Sequence, residues 1–263
     1  MIPASSIFMM VLNTVLGFAV PVLLAWWMVK KYKVSWSAIL IGAATFIVFA
    51  LVLESLVHNI VLKGPHGGAI MNNTLYFALY GGLMAGLFEE VGRFVAMKFF
   101  MKKEPDSIMS GVAYGVGHGG AEMLILFGIG TISTLAMAFM INSGQTDALL
   151  AKAPANALAQ AQAQLDAVAN TPASDYLYGL WERITAIILQ LSLSVLVWTA
   201  VRKGRKWLWL LPAAILIHAL VDGVVVYIQK SVSMFSLELI CFCEALVVAF
   251  ITLLIARKAW KNA

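Results

Sequence analysis

Apolar residues run through this chain in long blocks, and the polar residues inside them are few and grouped. Seven blocks are long enough to cross a bilayer as helices. They are Ser5 to Val29, Trp36 to Val57, Leu75 to Phe100, Ser107 to Ile141, Leu177 to Val201, Trp207 to Ile228 and Met234 to Ala256. A helical crossing of the hydrocarbon core takes about 20 residues. The expected fold class is all-α: a polytopic transmembrane helical bundle of about seven spans, with residues 1–263 as a single integral membrane domain. The fourth block is too long for one perpendicular crossing. Strong tilt, a break at its glycines, or a projection beyond the membrane would each accommodate it. The first block has no basic leader and exceeds a signal-peptide core, so it reads as a retained span.

Composition sharpens this picture. The chain is 62% hydrophobic and 12% charged, whereas a soluble domain carries roughly 25% charged residues. The net charge of +5 does not point to nucleic acid, because the basic residues sit at the block ends. Lys30, Lys31 and Lys33 follow the first span, and Lys98, Lys102 and Lys103 the third. Arg202, Lys203, Arg205 and Lys206 follow the fifth, and Arg257, Lys258 and Lys261 the seventh. The other side holds Lys63, Lys152 and Lys230. The positive-inside rule then predicts an outer N-terminus and a cytoplasmic C-terminus in a bacterial plasma membrane. Residues 142–175 become an extracytoplasmic loop. Its stretch from Ala155 to Ala169 is a good helix former, either a solvated hairpin or a lid over an outer mouth. Cys241 and Cys243 are too close in sequence to bridge on one helix and form no metal motif.

The candidate chemistry lies in polar groups placed within the apolar blocks. An ionisable side chain at membrane depth costs at least ~2.5–3.5 kcal/mol on insertion scales, so such residues mark functional sites by default. The third span carries Glu89, Glu90 and Arg93, with the arginine three and four residues after the acids and so on their helical face. One glutamate can stay ionised against Arg93 while the other exchanges protons as a general base. The fourth span carries His118 and Glu122, and the sixth carries His218 and Asp222, each pair four apart on one face. Two such pairs facing each other supply up to four ligands for a divalent metal, His118, Glu122, His218 and Asp222, with zinc the expected ion. Counting 1.5 Å per residue puts both histidines roughly 16 Å into their spans, near mid-membrane. Glu89 falls about a turn below them by the same count, and Glu182, beside Arg183, close to the level of Glu122 and Asp222. Glu54 with His58 in the second span, His66 in a loop, and Glu238 and Glu244 in the seventh span are weaker candidates.

The ordered set of Glu89-Glu90-x-x-Arg93, His118 on the next span and His218-x-x-x-Asp222 two spans later resembles the CAAX-protease and bacteriocin-processing superfamily. It is most similar to the YhfC branch of intramembrane metalloproteases, with PrsW as another relative. The resemblance implies that Glu89 or Glu90 activates water for attack on a peptide bond. His118 would hold that water or a metal, and His218 and Asp222 would act as ligands or stabilise the oxyanion. The partners implied are the lipid bilayer and a membrane peptide or protein substrate, with no nucleic acid. Two departures stand out: two residues rather than three separate Glu90 from Arg93, and the last motif ends in Asp222 where the family often has asparagine. The same buried acids and histidines would also suit a proton- or ion-coupled transporter. Haem held by His118 and His218 is a third arrangement open to this sequence.

Overall fold

The computed structural model of the protein describes residues 1–151, 154 and 156–261. Lys152, one of the outer basic residues, and Ala155, the expected start of the loop helix, lie outside them. The elements are helical, and no strand occurs among the described residues. They are α1 (Ala4–Tyr32), α2 (Trp36–Leu62), α3 (Gly67–Met71), α4 (Thr74–Phe99), α5 (Ile108–Asn142), α6 (Thr146–Leu150), α7 (Leu158–Asn170), α8 (Asp175–Arg202), α9 (Leu210–Ile228) and α10 (Met234–Trp260).

Six of these helices are long and apolar enough to span a membrane: α1, α2, α5, α8, α9 and α10. Helix α4 has 26 residues, and its charged trio Glu89, Glu90 and Arg93 sets it apart in composition. Large apolar side chains point outward along the spans, as with Leu220, Phe250 and Leu253. In water such surfaces would drive aggregation; in acyl chains they are the compatible solvent-facing groups. Trp26, Trp36 and Trp209 are exposed near helix ends, where indole rings suit the headgroup boundary. The protein is a multi-pass helical membrane protein.

The long fourth block does not break at its glycines. Helix α5 runs unbroken for 35 residues, or about 52 Å, through a π-helical stretch at Met123–Ile129. A second π-helical stretch, Phe46–Glu54, interrupts α2. Such wide turns inside α-helices occur mostly at functional sites.

The chain forms two compact units, one of Met1–Val20 with Met123–Arg183 and one of Pro21–Glu122 with Ile184–Ala263. In the first, the Asn142 amide clasps the backbone of Ile2, accepting from its N–H at 2.6 Å and donating to its carbonyl. Asn13 donates to the Tyr176 carbonyl at 2.7 Å. Gly17 meets Gly128 so closely that a Cβ on Gly17 would stand 2.7 Å from the Gly128 Cα. Met10, Ala138 and Val168 are buried together here.

The second unit is built around α8. From Leu189 to Ala200 that helix is buried except at Leu191. Its hydroxyls turn back on their own helix: Ser192, Ser194 and Thr199 each donate to the carbonyl four residues earlier at 2.7 Å, which satisfies the donor and leaves the oxygen free to accept, as Thr199 does from the Trp260 indole. Trp198, fully enclosed, donates from its indole nitrogen to the Ser107 carbonyl. Two helix pairs flank this axis in backbone contact. On α4, a Cβ at Gly82 would come within 2.2 Å of the Ala219 carbonyl oxygen, and one at Gly86 within 2.5 Å of that of Ile215. On α2 and α5, a Cβ at Gly42 would meet the Tyr114 oxygen at 2.1 Å, and one at Gly117 the Ile39 oxygen at 1.8 Å. Small residues at membrane helix contacts permit such approach, and here they bring the charged face of α4 up to α9. We expect Gly86→Val to destabilise the detergent-solubilised protein by roughly 1–3 kcal/mol through overpacking. Leu216→Val, on the exposed face of α9, should leave thermal unfolding close to the parent.

Candidate functional site

Glu89, Glu90 and Arg93 lie in the second unit, buried among α5, α8 and α9. Each glutamate takes its own histidine, and the two histidines come from different helices. His118 Nε2 lies 2.8 Å from Glu89 Oε2, and His218 Nδ1 lies 2.8 Å from Glu90 Oε1. Arg93 sits between them, with Nη2 3.4 Å from Glu89 Oε2 and Nε 3.2 Å from Glu90 Oε2. Its remaining donors go to α8: Nη1 donates to the Gln190 carbonyl at 2.9 Å and to Ser194 Oγ at 2.7 Å, and Nη2 to Gln190 Oε1. A guanidinium offers five N–H groups in a fixed fork, and here that fork fastens α4 to α8.

Gln190 extends the network. Its amide nitrogen donates to Glu89 Oε2 at 3.0 Å and to Glu122 Oε2 at 2.7 Å. Glu122 therefore joins the cluster through Gln190, on α8, and not by pairing with His118 on its own helix. Asp222 does face the histidine of its own helix, with Oδ2 3.6 Å from His218 Nε2. The His218 ring thus has a carboxylate at each nitrogen. The aromatic walls are Phe46, edge-on to His118 with ring centroids 5.3 Å apart, and Tyr114, stacked at 5.9 Å. Phe46 opens the π-helical stretch of α2.

Two details set the chemistry. Glu89 Oε2 receives His118, Gln190 and Arg93 together, while Glu89 Oε1 makes no hydrogen bond with a described residue. The Nδ1 of His118 is buried with no hydrogen-bond partner. The cluster thus offers one partly accessible carboxylate oxygen and one spare imidazole nitrogen. Four carboxylates, Glu89, Glu90, Glu122 and Asp222, thus lie in or beside a cluster that also holds the Arg93 guanidinium and two imidazoles.

The four side chains expected to share a divalent ion do not form one ligand set. His118 and His218 are each engaged by a glutamate, Glu122 faces Gln190, and Arg93 already holds the space between the two glutamates. Among the described residues no three His, Cys, Asp or Glu side chains gather as an ion requires. In this arrangement the four side chains do not fit a resident metal as one set: His118 Nδ1 is unengaged and His218 Nε2 faces Asp222, but the two nitrogens are not gathered with a third ligand at one point. Glu182 belongs to the first unit, where it is exposed and paired with Arg183. Gln190 and Ser194 carry no charge and do not stand out in the sequence. For Gln190, an amide in the middle of an apolar block is the available signal.

An integral membrane protein with an ion-paired glutamate–histidine cluster buried in its helices is the class that fold and site define. The family model described as YhfC intramembrane metalloprotease matches residues 16–243, and the chain belongs to that family. The chain is 39% identical over 234 residues, 88% of each chain, to a protein of Bacillus subtilis (strain 168) described as an uncharacterized membrane protein YhfC. No solved structure matches it.

Proposed function

We propose that the protein is an intramembrane endopeptidase that hydrolyses a peptide bond in a membrane-embedded or membrane-adjacent substrate. The observation that carries this reading is the unshared oxygen of Glu89, held in place by three donors on its other oxygen. A carboxylate fixed in that way can accept a proton from water while the water oxygen attacks a peptide carbonyl. The C–O bond forms, and the tetrahedral intermediate then collapses with cleavage of the C–N bond. The proton taken from water passes to the departing nitrogen. His118 and Arg93 orient Glu89, and Glu90, hydrogen-bonded to His218 whose other nitrogen faces Asp222 at 3.6 Å, forms a second line through which protons can be redistributed. The family's description carries the words intramembrane metalloprotease, which agrees with hydrolysis. No step in this sequence passes through a metal. The wider placement beside CAAX-type proteases rests on the motif resemblance alone.

Buried acids and histidines in membrane helices also suit an ion- or proton-coupled transporter. One experiment separates the two readings. The purified protein in lipid nanodiscs is given a library of apolar peptides in ¹⁸O-labelled water, and new carboxyl termini are read by mass spectrometry. We expect ¹⁸O in the products of the parent and its loss in His118→Gln and His218→Gln. Absence of cleavage by the parent, together with ion-dependent uptake in proteoliposomes, would replace the protease reading with the transporter. Metal content measured on the same sample shows whether an ion is held.

A further inference from the structure

Hydrolysis inside a bilayer needs a route for water, and α2 carries a polar face that leads toward the site. Glu54, Ser55, His58, Asn59 and Lys63 follow one another in the last third of an otherwise apolar span. From Lys63 inward to Glu54 is about 14 Å along the helix, nearly half of a ~30 Å hydrocarbon core. Polar groups at that depth are tolerated where they line a wet cavity. A cavity of about 350 Å³ is present here, lined by Ser55, His58, Asn59, Leu62, Lys63 and Met71. By contrast, the cavity of about 600 Å³ between α9 and α10 is walled by aliphatic side chains such as Ile217, Leu220, Val221, Val247 and Ile251 and suits acyl chains.

The inner end of the polar face is hydrogen-bonded in sequence. His58 Nδ1 lies 2.9 Å from the Tyr80 hydroxyl, and His58 Nε2 lies 3.1 Å from Glu54 Oε1. Side-chain exposure falls from 33% at His58 to 12% at Glu54, so the pair runs from the cavity wall into the interior. Glu54 is within electrostatic reach of Glu89 on α4 and of His218 and Asp222 on α9. It also closes the π-helical stretch that begins at Phe46, the residue packed on His118. The widened turn of α2 therefore begins against the site's histidine and ends at Glu54, and it packs on the helix of the two glutamates, where a Cβ at Gly92 would stand 2.5 Å from the Phe49 ring. A trio serving structure alone would be complete with Glu54, His58 and Tyr80. Ser55 and Lys63 line the cavity beyond that trio, and Asn59 lines it while donating to the Ser55 carbonyl at 2.9 Å.

We propose that this face of α2 is the route by which water reaches the buried glutamates, with Glu54 and His58 as positioning residues at its inner end. The role of that water as reactant rests on the protease reading, whereas the wetness of the route does not. The native cysteines, Cys241 and Cys243, are first replaced by serine. Cysteine is then placed at Ser55 or Asn59 on the cavity, or at Leu56, which is exposed on the span at the depth of Ser55. The three proteins in liposomes are exposed to a charged, membrane-impermeant methanethiosulfonate on both faces. Only a hydrated thiol ionises to the reactive thiolate, so Ser55→Cys and Asn59→Cys should react at least about tenfold faster than Leu56→Cys. Equal, slow rates at all three would overturn the route. In the cleavage assay, modification of Ser55→Cys should suppress turnover. Glu54→Gln should lower kcat with little change in KM, and Glu54→Asp should restore part of it. Unchanged kcat in Glu54→Gln removes the positioning role. If the cavity cysteines react but the parent cleaves nothing, the route stands and the protease reading fails. If the parent cleaves while the cavity cysteines stay unreactive, the protease reading stands and the route fails.

Discussion

Replacing Glu89 with glutamine is expected to lower kcat for peptide cleavage by about 10²–10⁴-fold, the usual worth of a general base, with KM nearly unchanged. The substitution keeps the size of the side chain and the acceptor oxygen that meets His118, Gln190 and Arg93. It removes the ability to take a proton from water. Because Glu90 still faces Arg93 at 3.2 Å, the guanidinium keeps an anionic partner and the fold should survive. Glu89→Asp shortens the arm by one methylene and should recover a fraction of the activity. Glu90→Gln is the informative companion. Glu90 is fully enclosed and bonded to His218, so its loss should act through the His218 line and give a smaller fall in kcat. Single-turnover cleavage in nanodiscs, with unfolding followed on the same samples, reads both quantities. An undiminished rate in Glu89→Gln would remove it from the reaction.

The second large effect is on stability. Arg93 is wholly buried and reaches both glutamates, Gln190 and Ser194. Removing one partner of a buried ion pair costs about 3–5 kcal/mol, because the charge left behind has neither solvent nor counterion. We therefore expect Arg93→Met to unfold at a markedly lower denaturant concentration or temperature than the parent. Arg93→Lys keeps the charge but cannot reproduce the planar fork and should fall between the two. The double change Glu90→Gln with Arg93→Met should be more stable than Arg93→Met alone, because it withdraws one of the stranded carboxylates. That sign distinguishes loss of charge balance from loss of packing volume, since a volume defect would not be relieved by glutamine at position 90. A double variant no more stable than Arg93→Met would refute the electrostatic account.

Much of this cluster can be read from the chain. Glu89, Glu90, Arg93, His118, His218 and Asp222 each stand out because a titratable group in an apolar block is expensive. Their common depth follows from residue counting along helices. The partnerships are another matter. Spacing of four residues suggests His118 with Glu122 and His218 with Asp222, as within one helix. The second pair is present at 3.6 Å, but the structure also joins His218 to Glu90 across helices, because Gly82 and Gly86 let α4 lie against the backbone of α9, and it joins His118 to Glu89 rather than to Glu122. Depth counting fixes height along a span but not the direction a side chain faces, so it also groups the exposed Glu182 with the buried acids. Gln190 escapes attention because an uncharged amide is a weaker signal than a charge, yet it ties Glu89, Glu122 and Arg93 together. The unbroken course of α5 through its glycines is not legible either. Those glycines serve close approach, as Gly117 does against the Ile39 carbonyl, rather than bending.

The glycine contacts of α4 also fix its register against α9. A slip of a single turn along that seam would carry Glu90 about 5.4 Å away from His218. It would also drive Ala78 or Glu90, according to the direction of the slip, into carbonyls that only a bare backbone can meet. The pairing of acid to imidazole is therefore gauged by residues that take no part in it, and a bulky side chain acquired there would misalign the glutamates while the helices stayed in the membrane.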